Sequence, residues 1–323
     1  MQNRATGAYV NVIRDAQNEV RGHGNAPRKG EAAAREPSAR FRFDWISAEQ
    51  LASAQKSAAA AATVAAASEQ ELMAQIAALP VSGKCVVSYG LYGANPKYIT
   101  GAVRNSELVK VWFPGWVCRF YVDDTVPADQ IARLRANGAE IVPMGSRIRG
   151  GIAGMFWRFL VADDTSVDRW IVRDSDSRLN PRERFAVEDW IRSGKSVHTI
   201  RDHPNHERPL NGGLWGGTKG SIRGSMTEMV KAFPNKEAYG GDLQFLGERI
   251  WPLVKHDQIA HDAYTCSKFP NSHPFPTKRP ADYQHVGQVF DANDQPRMAD
   301  IDRFIRGVVI PKACRKHPEW KYG

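Results

Sequence analysis

From Pro80 onward, short apolar runs alternate with longer stretches whose apolar positions recur at helical spacing. This is the pattern of an α/β layer fold, in which buried strands read as near-continuous apolar runs and each helix shows one apolar face. Cys85–Ser88 predicts a first strand and Tyr98–Leu108 a helix. Val117–Val122 predicts a second strand, ending in Asp123-Asp124. Pro127–Ala136 reads as a helix closed by Gly138, and Glu140–Val142 as a third strand. A loop rich in Gly and Arg, Gly145–Gly154, precedes a helix around Trp157–Val161. Trp170–Val172 is then an apolar strand that runs straight into Arg173-Asp174-Ser175-Asp176-Ser177-Arg178. Asn180-Pro181-Arg182-Glu183 supplies a helix cap, a proline at the first helical position and an acid at the third. Phe185, Val187, Trp190 and Ile191 share the face that follows, and Gly194 ends the helix. The acidic motif is therefore a short loop between a buried strand and a well-capped helix.

Upstream the texture differs. Residues 1–40 are polar, rich in Arg and Gly and without periodicity, as expected of an adaptable arm. Ser47–Leu79 is Ala-rich with a Pro80 stop, which predicts a helix that needs another surface for stability and suits an oligomer contact. The expected division is therefore 1–80, arm plus Ala-rich helix, and 81–323, the α/β domain. No uncharged apolar run approaches the ~20 residues of a membrane span. The four cysteines lie far apart, and Cys85 and Cys118 fall inside apolar runs, where a buried free thiol and a reducing cytoplasm are expected. The net charge is +9, and residues 1–80 hold nine basic against eight acidic residues, so nearly all the excess lies in the α/β part. Such a balance points to an anionic partner, a nucleotide diphosphate or a nucleic acid.

Two carboxylates one residue apart, leaving a strand together, can converge on one hard divalent cation such as Mg²⁺ or Mn²⁺. Asp-x-Asp alone is a weak signal, because Asp300-Ile301-Asp302 repeats it inside an ordinary amphipathic helix pattern. Only Asp174 and Asp176 follow an apolar strand, and ligands collect at the C-terminal edges of open α/β sheets. His203 follows the Val197–Ile200 strand and is placed to face such a cleft, whereas His206 reads as surface.

Taken in order, Ser88-Tyr-Gly-Leu-Tyr-Gly93, Phe156-Trp-Arg-Phe-Leu160, Asp174-x-Asp176 and Gly212-Gly-Leu-Trp-Gly216 resemble the GT-A glycosyltransferases. The similarity extends over about residues 82–290. Gly241–Leu246 resembles the Asp-Gln segment of a retaining branch, with Leu243 intervening between Asp242 and Gln244. What the resemblance implies is a Rossmann-like, mixed, mostly parallel sheet flanked by helices. It implies a metal-dependent transfer of sugar from a nucleotide-diphosphate sugar. Ser88, Tyr89 and Gly90 would meet the nucleotide, with Tyr89 or Tyr92 stacked on the base. Arg158 would face donor phosphate or sugar, Asp242 would act at the reacting centre, and His261 would complete the metal site. Gly212 and Gly213, with Trp215, would allow close approach of donor and acceptor. The surplus of bases, among them Arg147, Arg149, Arg201, Lys219 and Arg223, suggests a polyanionic acceptor such as DNA or an acidic polysaccharide. Two other readings remain open: a nucleotidyltransferase of the same fold, and a nucleic-acid-binding module using the basic arm.

Overall fold

The computed structural model describes residues 9–11, 44–46, 52–53, 55–56, 68–145 and 151–322. The chain divides into two compact units, Met1–Glu71 and Leu72–Gly323. In the first, β1 (Tyr9–Asn11), within the stretch 1–40 expected to be an adaptable arm, pairs antiparallel with β2 (Asp44–Ile46). Residues 52–53 and 55–56 are helical, as is α1 over 68–77, and the chain turns before Pro80, as the Ala-rich pattern predicts. Residues 57–67, the centre of the expected oligomer contact, lie outside the described residues, as do Arg147 and Arg149.

The second unit is built on one eight-stranded sheet of order β10-β9-β7-β8-β6-β3-β4-β5. β3 (Cys85–Leu91), β4 (Trp116–Val122), β5 (Glu140–Pro143) and β6 (Arg169–Arg173) are parallel. β7 (Val197–Arg201), β9 (Gln258–Asp262) and β10 (Ser272–His273) are parallel to one another. β8 (Leu214–Thr218) runs antiparallel between β6 and β7. The sheet is thus mixed and mostly parallel, as expected.

Strand alternation decides which helices cover which face. Cys85, Val87, Tyr89 and Leu91 of β3 join Cys118, Phe120 and Val122 of β4 in one core cluster with α2 (Pro96–Trp112), α3 (Ala128–Ala136) and α4 (Pro181–Ser193). Val86, Trp170, Val172 and Trp215 point the other way. They pack with the 3₁₀ helix Ile152–Asp163, α5 (Met226–Ala232) and α6 (Gly241–Phe245). A π-helical turn (Leu246–Ile250) and α7 (Trp251–Val254) follow α6, and α8 (Met298–Phe304) lies in the C-terminal segment. Asp300 and Asp302 pair with Arg297 and Arg306 around α8, as befits a chance match to the acidic motif.

Cys85 and Cys118 are buried free thiols, as expected. Cys266 and Cys314 form a disulfide that the wide spacing did not announce. Disulfides persist in oxidising surroundings, so this pair does not fit the reducing compartment suggested by cysteine usage. Among the described residues, no helix is long and apolar enough to cross a membrane.

Candidate active site

The chain leaves β3 in one direction along the sheet, through β4 to β5, and returns to place β6 on the other side of β3. The C-terminal ends of β3 and β6 therefore flank a topological switch point, where open α/β sheets hold ligands. Two segments meet there, Gly90–Asn95 at and beyond the end of β3 and Asp174–Asp176 after β6, and together they line a cavity of about 470 Å³. A second cavity of about 330 Å³ continues from it, sharing Met155, Arg158, Asp174 and Tyr239.

The acidic loop is fixed from three sides. The Ser177 hydroxyl and backbone N–H both donate to the Asp174 carbonyl, at 2.8 and 3.1 Å, closing a tight turn. Asn105, buried on α2, donates to the Ser177 carbonyl at 2.8 Å and accepts from the Leu179 N–H at 3.0 Å. Gly101 lets α2 approach, since a Cβ there would lie 1.8 Å from the Ser175 carbonyl oxygen. From the far side the Phe290 N–H donates to the Asp176 carbonyl at 2.8 Å. Asn180 caps α4 as the sequence predicts, accepting from the Glu183 N–H at 2.9 Å. The Glu183 carboxylate is met both by the Asn180 backbone N–H, as a capping box requires, and by its ion-pair partner Arg173 Nε. That buried pair anchors the residue just before Asp174 to the helix just after the loop.

Each carboxylate of the motif is met by a cation. Arg158 Nη1 donates to Asp174 Oδ1, and its Nη2 donates to Asp242 Oδ2 at 2.8 Å. Lys97 Nζ lies 2.6 Å from Asp176 Oδ2. Burial works against the Arg158 charge, but Asp174 and Asp242 more than offset it and raise its pKa. At Asp176, burial and the neighbouring Asp174 charge raise the pKa, with Lys97 opposing them. The side chain of Asp174 is 44% exposed and that of Asp176 14%, so a ligand in the cleft reaches the first directly.

Two glycines make this arrangement possible. A Cβ on Gly213 would stand 2.1 Å from Asp174 Oδ2, and one on Gly212 would stand 2.4 Å from Asp242 Oδ2 and 2.7 Å from Arg158 Nη2. They admit the Asp174–Arg158–Asp242 chain itself. Asp174 and Asp176 offer carboxylate oxygens from one tight turn, the ligand type a hard divalent cation takes, and a cation there would compete with Arg158 and Lys97 for them.

Several expected site residues do stand together. Gly90, Tyr92, Arg158, Asp174, Asp176, Gly212, Gly213 and Asp242 all line the two cavities. Burial pushes the Tyr92 phenol up to about 12, so it stays neutral. Ser88 is buried and supports the site from below, its hydroxyl donating to the Arg158 carbonyl at 2.7 Å. The Asp163 and Asp164 carboxylates, the alternative partners for Arg158, are engaged elsewhere: Asp163 accepts from the Met226 and Thr227 N–H groups, and Asp164 pairs with Arg119.

Others are not brought to the cleft. Tyr89 is fully buried and stacks on Phe120 with ring centroids 4.9 Å apart, so it offers no face to a base. Trp215 is equally buried, edge-on to Trp170 at 4.8 Å. His261 has both ring nitrogens occupied, by His198 Nε2 at 2.8 Å and Asp189 at 3.0 Å, on the α4 side of β9. His203 is buried behind the cleft, its Nδ1 accepting from the Asn205 N–H, among His206, His285 and Phe304. His206, which reads as surface, instead lines the second cavity with Asn205, Arg208 and Asn211. Of the bases expected near the cleft, Arg201 is buried against Asp262 at 2.6 Å. Lys219 follows β8, whose antiparallel course carries it to the opposite end of the strands, where its N–H donates to the Asp168 carbonyl.

Sequence reasoning missed Lys97, Tyr98 and Tyr239 as site residues. Asn95-Pro96 announces the start of α2 just after β3, and a base in that first turn is the signal for Lys97. Tyr239 is 94% exposed above the shared part of the cleft and had no pattern to mark it.

No family model and no curated protein matches the chain. Among solved structures it is similar to glucosyl-3-phosphoglycerate synthase from Mycobacterium tuberculosis. One crystal structure of that enzyme matches at 18% identity over 66% of this chain and 78% of that one, with a TM-score of 0.38. Its complex with Mn²⁺, UDP-glucose and glycerol 3-phosphate matches at 18% identity over 59% and 72%, with a TM-score of 0.37. Its complex with Mg²⁺ and UDP matches at 17% over 59% and 73%, with a TM-score of 0.36.

Proposed function

We propose that this chain is a metal-dependent glycosyltransferase that moves a sugar from a nucleoside-diphosphate sugar to a hydroxylated acceptor. The observation that carries the reading is the Asp174–Ser175–Asp176 turn. It presents two carboxylates at the switch point of a mostly parallel sheet, inside a two-lobed cleft. Asp174 and Asp176 would hold Mn²⁺ or Mg²⁺, which when bound supplies Lewis-acid neutralisation of the departing diphosphate. The larger lobe, with Tyr92 and Tyr98 on its wall, suits the nucleotide. Arg158 stands between the lobes and is permanently charged, so it is placed to stabilise negative charge as the bond from the anomeric carbon to diphosphate oxygen breaks. Asp242, held by Arg158, faces the smaller lobe, where it would orient sugar or acceptor hydroxyls.

That lobe is polar, with Asn205, Asn211, His206 and, besides the shared Arg158, Arg208. That lining suits an acceptor bearing hydroxyls and an acidic group; among the described bases expected to serve a polyanion, Arg201 is buried against Asp262 and Lys219 lies at the other end of β8.

The test is a thermal-shift panel of UDP-, GDP-, CMP- and dTDP-sugars with and without Mn²⁺, on wild type, Asp174→Asn and Asp176→Asn. Specific binding stabilises the fold by mass action, by about 2.7 kcal/mol at a hundredfold excess over the dissociation constant. One donor is expected to raise the melting temperature only with Mn²⁺ present, and either substitution should remove that increment while leaving the unliganded melt in place. A metal-dependent increment that survives both substitutions would sink the reading.

A further inference from the structure

The two carboxylates of the acidic turn are met by different cations of the chain, Asp174 by Arg158 and Asp176 by Lys97. The two cations are not equivalent. Arg158 is buried and keeps a second partner in Asp242 at 2.8 Å. Lys97 has Asp176 as its sole ion-pair partner among the described residues, and its side chain is 29% exposed. It stands at the second position of α2, and the chain just before it and Tyr98 just after it line the larger lobe. Its flexible four-carbon stem can swing, which a guanidinium clamped between two carboxylates cannot do at low cost.

The local charges set up a conflict. Asp174, Asp176 and Asp242 bring three negative charges, and Arg158 and Lys97 bring two positive ones. A divalent cation on the carboxylate pair takes Asp176 away from Lys97 and leaves the ammonium beside a double positive charge, where it is strongly repelled. A diphosphate in the same lobe returns two negative charges and offers oxygens for the ammonium to meet. We propose that Lys97 is a ligand of the donor's diphosphate: it pairs with Asp176 while the carboxylates are free and crosses to phosphate oxygen once a divalent cation takes Asp176. This role rests on the nucleotide-sugar reading above. Its consequence is that metal and nucleotide bind as a unit, each strengthening the other by the same factor.

The experiment uses the full chain, with Mn²⁺ alone, the tightest binder among UDP, GDP and dTDP alone, and the two together. Free Mn²⁺ is followed by electron paramagnetic resonance and nucleotide binding by calorimetry. In Lys97→Met, Mn²⁺ alone is expected to bind about three- to fivefold tighter, because a partly exposed ion pair no longer competes for Asp176. Nucleotide binding at saturating Mn²⁺ should weaken about tenfold or more, the worth of one charge-assisted hydrogen bond. Lys97→Arg should recover part of the nucleotide affinity. Lys97→Gln gives the same reading if the methionine variant melts early. Unchanged nucleotide affinity at saturating Mn²⁺, or weaker binding of Mn²⁺ alone, would overturn the role of Lys97 while leaving the site intact. A wild type that binds neither Mn²⁺ nor any of the three nucleotides would overturn the nucleotide-sugar reading and this role together.

Discussion

At the scale of single residues, the site depends as much on missing side chains as on present ones. Asp174 sits against Gly213 so closely that a methyl group there would meet Asp174 Oδ2 at 2.1 Å. Gly213 has no left-handed backbone, so the demand is for space alone. Gly213→Ala should therefore push the Asp174 carboxylate away from its partners and weaken metal-dependent nucleotide binding at least about tenfold, the loss of a charge-assisted contact. Gly247→Ala is the control, since nothing lies within 4 Å of its Cβ position. Calorimetry on both variants checks this, and equal affinities would show that Asp174 need not stand where it does. Asp174 and Asp176 were legible in the sequence because polarity changes abruptly after Trp170–Val172. Tyr89 was also legible in principle: it shares strand parity with Cys85 and Val87, which commits it to the core, whereas Tyr92 lies past the strand end. The partners of the carboxylates were not legible, since Arg158 finds Asp242 across 84 positions and no local pattern encodes that.

At the scale of elements, the strands and helices of the α/β unit follow their periodicity closely, and the departures sit at ends and junctions. The helix expected around Trp157–Val161 is a longer 3₁₀ segment, Ile152–Asp163, which threads Phe156, Phe159 and Val161 into the core while aiming Arg158 into the cleft. α1 lies before the composition boundary at Pro80, yet its last turn belongs to the α/β unit. Its last turn carries Ile76, which is fully buried in the same cluster as Val87 and Phe120. The compact unit accordingly begins at Leu72. Composition could not show this, because a run of alanines hides the two large apolar residues, Ile76 and Leu79, that dock there among the described residues. Ile76→Ala in the full chain should cost about 2–5 kcal/mol, the usual range for emptying a buried aliphatic site. A urea titration measures it, and a midpoint within experimental error of wild type would mean that α1 contributes nothing to the core.

At the scale of the whole molecule, the basic balance conceals how many arginines are internal. Arg173, Arg182, Arg184, Arg201 and Arg279 are buried against Glu183, Asp202, Glu188 and Asp262, so these five bases do not face solvent, although with their four acidic partners they withdraw only one unit of the net +9. The same interior holds histidines without charge. Burial lowers the pKa of His198, His203 and His261, and it carries His206 down to about 4 and His285 to about 2. In the unfolded chain these rings titrate near 6.5. Above that pH both states hold them neutral, and stability is at its full value. As pH falls below about 6.5 the unfolded state takes up protons that the folded state refuses, so stability declines, and it keeps declining towards the folded values. Asp202, held far below the usual carboxylate range despite burial by Arg182 and Arg279, adds its own loss only at lower pH. Urea midpoints should therefore agree between pH 8 and pH 7 and drop steadily from pH 6.5 to pH 5. His285→Asn removes one of the refused protons, so its midpoints should fall along a shallower slope than wild type whatever their absolute level. A wild-type midpoint that is flat from pH 8 to pH 5, or a variant slope as steep as wild type, would show that these rings accept protons in the folded state. The histidines behind the cleft would then be open to water rather than sealed by the packing of His203 against His285.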